Sequence, residues 1–222
     1  MPTSRDPEAR RSRARDEFVD AAYRVIDSAG PNPSMNDIAR EAGATKPRLY
    51  RQFADKADLY SAVAQRMADE VYTLAVSDFN FLLDAPVSAL RHAITGYADV
   101  VGRHPNVFRF LAQSRTTPED SAAAPPLDIG RDIATRFSTV AETILKSVDA
   151  DTAGIDYACR AAVGAVLAAT DLWLDDQQLE AAEFVDQLSA LVWGLLDAFL
   201  RRKEIDLDGD EPIFMTLARL KG

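Results

Sequence analysis

From Ser34 to Lys56 the chain reads SMNDIAREAGATKPRLYRQFADK, and Thr45, Lys46, Arg48, Tyr50 and Arg51 crowd into one short stretch of it. Such a set donates hydrogen bonds and positive charge, so its natural targets are phosphate oxygens and the acceptor-bearing edges of bases. The rest of the chain offers no rival chemistry. It has no Gly-rich phosphate loop, no His-x-x-x-His pair and no Ser nucleophile elbow. Asp175 and Asp176 are neighbouring acids in an expected loop, where solvation explains them without acid/base work. The two histidines, His92 and His104, lie 12 residues apart with Cys159 far away, so no metal and no cofactor is expected. An enzyme is not expected.

The cations need elements to hold them, and the same stretch supplies two short helices joined by a tight turn. Ser34 can cap the first helix and, with Asp37, form a capping box; Met35, Ile38, Ala39 and Ala42 then make one apolar stripe. Gly43 breaks that helix where a left-handed residue is needed, and Thr45 can cap the second. Pro47 falls in the second helix's first turn, where its missing N–H has no partner to lose. Leu49 and Phe53 share the inward face, which leaves the cations outside. Upstream, a helix from about Arg11 to Ala29 carries Phe18, Ala22, Val25, Ile26 and Ala29 at helical spacing, and Gly30-Pro31-Asn32-Pro33 stops it.

The run from Phe18 to Leu59, with its amphipathic helix, the Ile38-Ala39 pair, Gly43, Leu49-Tyr50, Phe53, Lys56 and Leu59 in order, resembles the DNA-binding domain of the tetracycline-repressor (TetR) family of bacterial regulators. The resemblance covers roughly residues 10 to 60. It implies an all-α fold: an N-terminal three-helix helix-turn-helix domain, and a C-terminal helical domain for ligand binding and dimerisation. The expected division is a flexible basic arm at 1–9, the DNA-binding domain at 10–56 and the larger domain at 57–222. A helix fits the major groove of double-stranded DNA, so Thr45, Lys46 and Arg48 are expected near bases, Arg48 through a two-bond fork to guanine. Ser34, Tyr50 and Lys56 are expected on phosphates. The family pattern usually has Gly at the position of Pro47, a small hydroxyl residue at Arg48 and an aromatic residue or His at Gln52; these departures put the base sequence out of reach.

The formal net charge of −10 looks wrong for a DNA binder until it is divided along the chain. Residues 1–60 hold 11 Lys+Arg against 10 Asp+Glu, while 61–222 hold 14 against 25, so the acidity lies in the second part. Arg5, Arg10, Arg11, Arg13 and Arg15 place a local basic cluster beside the motif, and affinity for phosphates follows the local field. A single cysteine, without a secretory signal, suits the cytoplasm. The most apolar run, Ala161 to Leu174, is interrupted by Asp171 and falls short of a membrane span, so no membrane partner is expected.

After Phe53, Asp55 can cap a long helix carrying Leu59, Val63, Met67, Val71 and Leu74, a lever between the two domains. Helices are then expected over 87–103, 105–114, 127–148, 152–174 and 179–203, with a loop over 115–126 and a short terminal helix after Pro212. The last two long helices are apolar on more than one face: Ala161, Gly164, Ala165, Ala168 and Ala169 are small, and Leu188, Leu191, Val192, Leu195, Leu196 and Phe199 are bulky. Soluble monomers avoid such exposure, and pairing as a four-helix bundle removes it, so a homodimer is expected. The resemblance also implies a small-molecule effector held in the second domain. Tyr97, Phe108, Tyr157 and Trp173 are candidates to line its site, with plain core packing as the simpler role for each. The expected function is a repressor that binds an inverted-repeat operator and is released by a mostly apolar effector. Control by a protein partner, or a helical carrier of a hydrophobic molecule without DNA binding, are the alternatives.

Overall fold

The computed structural model describes residues 7–77, 80, 83–113, 129–176 and 179–221. Among these, every regular element is a helix: α1 (Pro7–Ala29), α2 (Met35–Glu41), α3 (Lys46–Tyr50), α4 (Lys56–Val76), α5 (Pro86–Arg103), α6 (Pro105–Gln113), α7 (Ile129–Lys146), α8 (Ile155–Asp175), α9 (Ala181–Arg201) and α10 (Ile213–Lys221). The fold is all-α. Pro86 and Pro105 each open a helix, as expected of residues that have no N–H to leave unpaired there. So does Pro7, and α1 therefore begins before Arg11, taking in Pro7 to Ala9 of the expected arm. Residues 1–6 of that arm, and the expected loop over 115–126, lie outside the described residues.

Packing divides the chain into two units, residues 1–69 with 101–127, and residues 70–100 with 128–222. In the first, α1 packs on α2 and α6, and the buried side chains are Phe18, Val19, Ala21, Ala22, Val25 and Ile26 of α1, Met35, Ile38 and Ala39 of α2, Leu49 of α3, and Leu59, Val63 and Met67 of α4. Ala29, expected on the same stripe of α1, is exposed in its last turn. Phe18 and Phe53 meet edge to face at 6.3 Å between ring centroids, beneath the turn after α3. The N-terminal end of α6 is tied to the C-terminal end of α1. There His104 Nδ1 lies 2.7 Å from Asp27 Oδ2, and Asn106 donates its side-chain amide to the Asp27 carbonyl at 3.0 Å. Tyr60 of α4 donates its hydroxyl to the Leu111 carbonyl of α6 at 2.6 Å.

The second unit has two apolar clusters. One gathers Ile94 and Ala98 of α5, Ala162 of α8, and Phe184, Val185, Leu188 and Val192 of α9. The other gathers Ala134 and Leu145 of α7 with Ile155 and Cys159 of α8 and Ile205. Burial pushes the Cys159 thiol up to about 11, so it stays a protonated core side chain. At Gly96 the helices approach closely: a Cβ there would sit 2.9 Å from the Leu74 Cβ. Any larger residue would have to push α4 and α5 apart.

The outward faces of α8 and α9 are apolar. On α8, Tyr157, Ala161, Gly164, Ala165, Ala168 and Leu172 repeat at helical spacing and are exposed, Tyr157 at 83% and Leu172 at 72%. On α9, Ala190, Leu191, Gly194 and Ala198 do the same. Of the bulky residues of α9, Leu188 and Val192 lie in the unit's own core, and Ala169 of α8 packs against it. By length and composition α8 is also apolar enough to cross a membrane, contrary to the expectation from residues 161–174 alone, and only 22% of its most apolar window is buried.

Candidate nucleic-acid interface

Ser34 takes the extended N-cap conformation before α2, and its hydroxyl accepts the Asp37 N–H at 3.1 Å while donating to Asp37 Oδ2 at 2.5 Å. The capping box is therefore formed. The Ser34 hydroxyl, and then Arg40, whose guanidinium lies 2.7 Å away, hold the Asp37 carboxyl below the usual carboxylate range. Ala42, Gly43 and Ala44 turn the chain, with Gly43 at φ +60°. No atom would touch a Cβ at Gly43, so the demand for glycine comes from the left-handed backbone and not from crowding. Thr45 sits at the N-cap of α3 in an extended conformation, but its side chain makes no capping bond. Its hydroxyl thus stays available to an outside partner.

α3 is a single short helix whose one buried side chain is Leu49. Thr45, Lys46, Pro47, Arg48, Tyr50 and Arg51 are all exposed, as is Lys56 at the start of α4. Lys46 Nζ lies 5.8 Å from the Tyr50 ring centroid, which keeps ammonium and phenol side by side. Lys46, Arg51 and Lys56 have no ion-pair partner among the described residues. Arg48 has a loose one, Glu17 of α1, at 3.9 Å. Of the expected contact residues, the structure brings Thr45, Lys46, Arg48 and Tyr50 together on α3, with Ser34 and Lys56 at the starts of the helices on either side. Arg51 joins them; its spacing in the sequence was visible, and its exposure at the helix end makes it a further cation of this surface.

What holds α3 in place is a contact that no local pattern shows. Arg15, counted above in the basic cluster, turns inward: it donates to the Gln52 carbonyl at 2.6 Å and to Asp58 Oδ1 at 2.5 Å, and its guanidinium lies 4.2 Å from the Phe53 ring centroid. The Gln52 carbonyl is one of those left unpaired where a helix ends, and Asp58 also accepts the Ala54 N–H at 3.0 Å. Asp55 in turn caps α4 through the Asp58 N–H at 2.8 Å. One guanidinium therefore joins α1, the end of α3 and the start of α4. Arg15 chiefly, with help from the Ala54 N–H, holds the Asp58 carboxyl below its ordinary range. Arg15 is consequently a positioning residue, while Arg11 and Arg13 remain exposed.

A stiffly clamped helix presenting cations, a phenol and a free hydroxyl can occupy a groove of a polyanion. The comparisons with known proteins agree. Residues 18–63 match the profile of the bacterial regulatory proteins, tetR family, and residues 80–206 match a tetracyclin repressor-like C-terminal domain. The chain belongs to the TetR family. An uncharacterized HTH-type transcriptional regulator of Mycobacterium tuberculosis is 30% identical over 185 residues, covering 82% of this chain and 76% of that protein. The HTH-type transcriptional activator FasR of Mycolicibacterium smegmatis is 29% identical over 187 residues, 82% of this chain and 78% of that one. Among solved structures, a tetR-family transcriptional regulator from Streptomyces coelicolor superposes with a TM-score of 0.66 at 20% identity, over 94% of this chain and 88% of the other. The transcriptional regulator FadR of Bacillus subtilis, in complex with stearoyl-CoA, gives 0.61 at 14% identity over 80% and 96%. These TetR relatives are transcriptional regulators and not enzymes, and the present chain is a DNA-binding regulator of that family.

The four aromatic residues considered for an effector site do not form one constellation. Tyr157 projects outward from α8, and Phe108 is buried in the first unit. Tyr97 and Trp173 belong to the second unit. The Tyr97 hydroxyl lies 2.7 Å from the Thr170 hydroxyl, which donates to the Val166 carbonyl, so the phenol donates to Thr170. Burial raises the Tyr97 pKa well above the usual phenol range, and it stays neutral. Trp173 stacks on Phe184 at 4.4 Å and donates its indole N–H to the Leu179 carbonyl at 3.1 Å. The donors of Tyr97 and Trp173 are thus spent within the second unit.

Proposed function

We propose that two copies of this TetR-family chain pair through the outward faces of α8 and α9 and set both α3 helices into one inverted-repeat operator, with half-sites about 34 to 36 Å apart. The observation that carries this reading is the exposed and unpaired set Lys46, Arg51 and Lys56 on a recognition element anchored by Arg15. Thr45, Lys46 and Arg48 approach base edges; Ser34, Tyr50 and Lys56 contact phosphates. Support for pairing comes from the apolar stripes of α8 and α9, whose small residues allow close helix approach.

A small, mostly apolar effector held in the second unit lowers the affinity for DNA, and the protein acts as a repressor in the cytoplasm. Tyr97 and Trp173, the two candidates that lie inside the second unit, are the aromatic residues proposed to meet it. An acyl chain suits the apolar residues of that unit, and a structural neighbour was solved with stearoyl-CoA. Coupling runs along α4, a single helix from Lys56 to Val76, and the effector acts only by its differential affinity for two arrangements of that helix. One relative is named an activator, and the same binding geometry serves either sense according to where the operator lies. The test is a mobility-shift titration on the DNA upstream of the protein's own gene, with acyl-CoA thioesters of graded length added. A retarded species with two chains per duplex, released by long but not short acyl chains, is the expected result. One chain per duplex, or release by free CoA as strong as by its long-chain thioesters, would overturn it.

A further inference from the structure

Every acid described between Asp16 and Asp58 in the first unit has a partner, and nearly all of those partners belong to the scaffold. Asp16 and Asp20 hold Arg66, Asp27 holds His104, Asp37 holds Ser34 and Arg40, Glu41 holds Arg24, Asp55 caps α4, and Asp58 holds Arg15. Glu17 is different. Its ion-pair partner is Arg48 of the recognition helix, 3.9 Å away, and both side chains remain about half exposed, at 60% and 49%. Conversely, of the four cations around α3, Lys46, Arg51 and Lys56 form no ion pair among the described residues, and Arg48 alone does. A carboxylate thus pairs with one cation of α3, whereas the other acids near the motif, Asp37, Asp55 and Asp58, serve caps and the clamp.

We infer that Glu17 is a specificity-determining residue that acts through Arg48: staying paired with the guanidinium, it orients the fork toward a base that offers a two-acceptor edge. The inference rests on the reading of Arg48 as a base contact. Two physical terms give it content. A carboxylate near the phosphates repels any duplex, so it lowers affinity for all sequences through a screened charge. A guanidinium held on one side by a carboxylate that stays paired in the complex presents its remaining N–H fork in one direction, which suits a bidentate guanine edge and suits a phosphate or a wrong base less. Together they penalise wrong sequences more than the right one.

The test measures affinity for the operator and for random duplex of equal length, with wild type and with Glu17→Gln, Arg48→Ala and the double variant, at several salt concentrations. Both positions are exposed, and thermal melting checks that each variant is folded. For Glu17→Gln, affinity for random DNA is expected to rise about threefold at moderate salt, as removal of one screened charge implies. Operator affinity is expected to stay level or fall, so that the ratio between the two drops. In the Arg48→Ala background, Glu17→Gln should raise both affinities alike and leave the ratio fixed. If Glu17→Gln raises both alike in the presence of Arg48, Glu17 is a plain repulsive charge and the inference fails, while the base-reading role of Arg48 stands. If Arg48→Ala leaves the ratio unchanged, it is Arg48 as a base contact that fails, and the inference falls with it.

Discussion

Two surfaces of this chain are exposed in ways that ask for a partner, and they ask in opposite terms. Around α3 the exposed groups are Thr45, Lys46, Arg48, Tyr50, Arg51 and Lys56, each able to donate, on a helix held from beneath by Leu49, Phe53 and Arg15. Along α8 and α9 the exposed groups are Tyr157, Ala161, Gly164, Ala165, Ala168, Leu172, Leu191 and Gly194, most of which can donate nothing from a side chain. The first surface gains by meeting a polyanion and loses that gain as salt rises. The second gains by removing apolar area from water, and salt weakens it little. The proposed function uses both, because two copies of α3 on one duplex contact more bases than one.

If the surfaces are as different as this, each can be removed without touching the other. The largest effect is expected from Leu172→Glu combined with Leu191→Glu, which places charges at the exposed stripes. Sedimentation should then show single chains that melt near the wild-type temperature. Operator affinity should fall more than about 100-fold as the second half-site is lost, since linked binding commonly multiplies affinity by that much or more. Retained pairing in this variant would break the comparison.

A smaller effect is expected at the clamp. Arg15→Ala and Asp58→Asn should each cost about 1 kcal/mol, a modest figure because the pair is about one-third exposed, and the two together should cost little more than either alone. Asp58 has a lowered carboxyl pKa in the fold, so its contribution is present above the unfolded value near 3.8 and fades as pH falls through the lower folded value. Denaturant melts should therefore show wild type more stable than Asp58→Asn at neutral pH and the two converging in acid. A constant gap down to pH 2 would remove the ionised clamp from the description. The smallest effects belong to single phosphate contacts. Lys56→Ala should weaken binding several-fold at every sequence and reduce the slope of log affinity against log salt by about one, whereas Tyr50→Phe should weaken it slightly and leave the slope alone.

The contrast between local and distant information explains what the sequence made legible. Capping at Ser34 and Asp55, the left-handed turn at Gly43, and the inward Leu49 and Phe53 follow from neighbours a few residues away, and the structure has all of them. The helix starts at Pro86 and Pro105 have the same origin. The inward turn of Arg15 leaves no local trace, because its partners Gln52 and Asp58 lie 37 and 43 residues on, and a charge run looks the same whether it faces water or a carbonyl. The tie from His104 and Asn106 back to Asp27 spans 77 and 79 residues and leaves no periodic trace. On α9 the sequence showed an apolar helix but not which side faced its own unit. Leu188 and Val192 turned inward and Leu191 outward because the packing of α5, α8 and α9 decides that choice.

Selection of DNA by the purified protein from a pool of random duplexes tests most directly whether two recognition helices are presented together. Paired copies should enrich sequences that contain two inverted half-sites with centres about one helical turn, roughly 10 base pairs, apart. Enrichment of a single unrepeated half-site, or of no common sequence at all, would contradict the pairing of two α3 helices on one duplex.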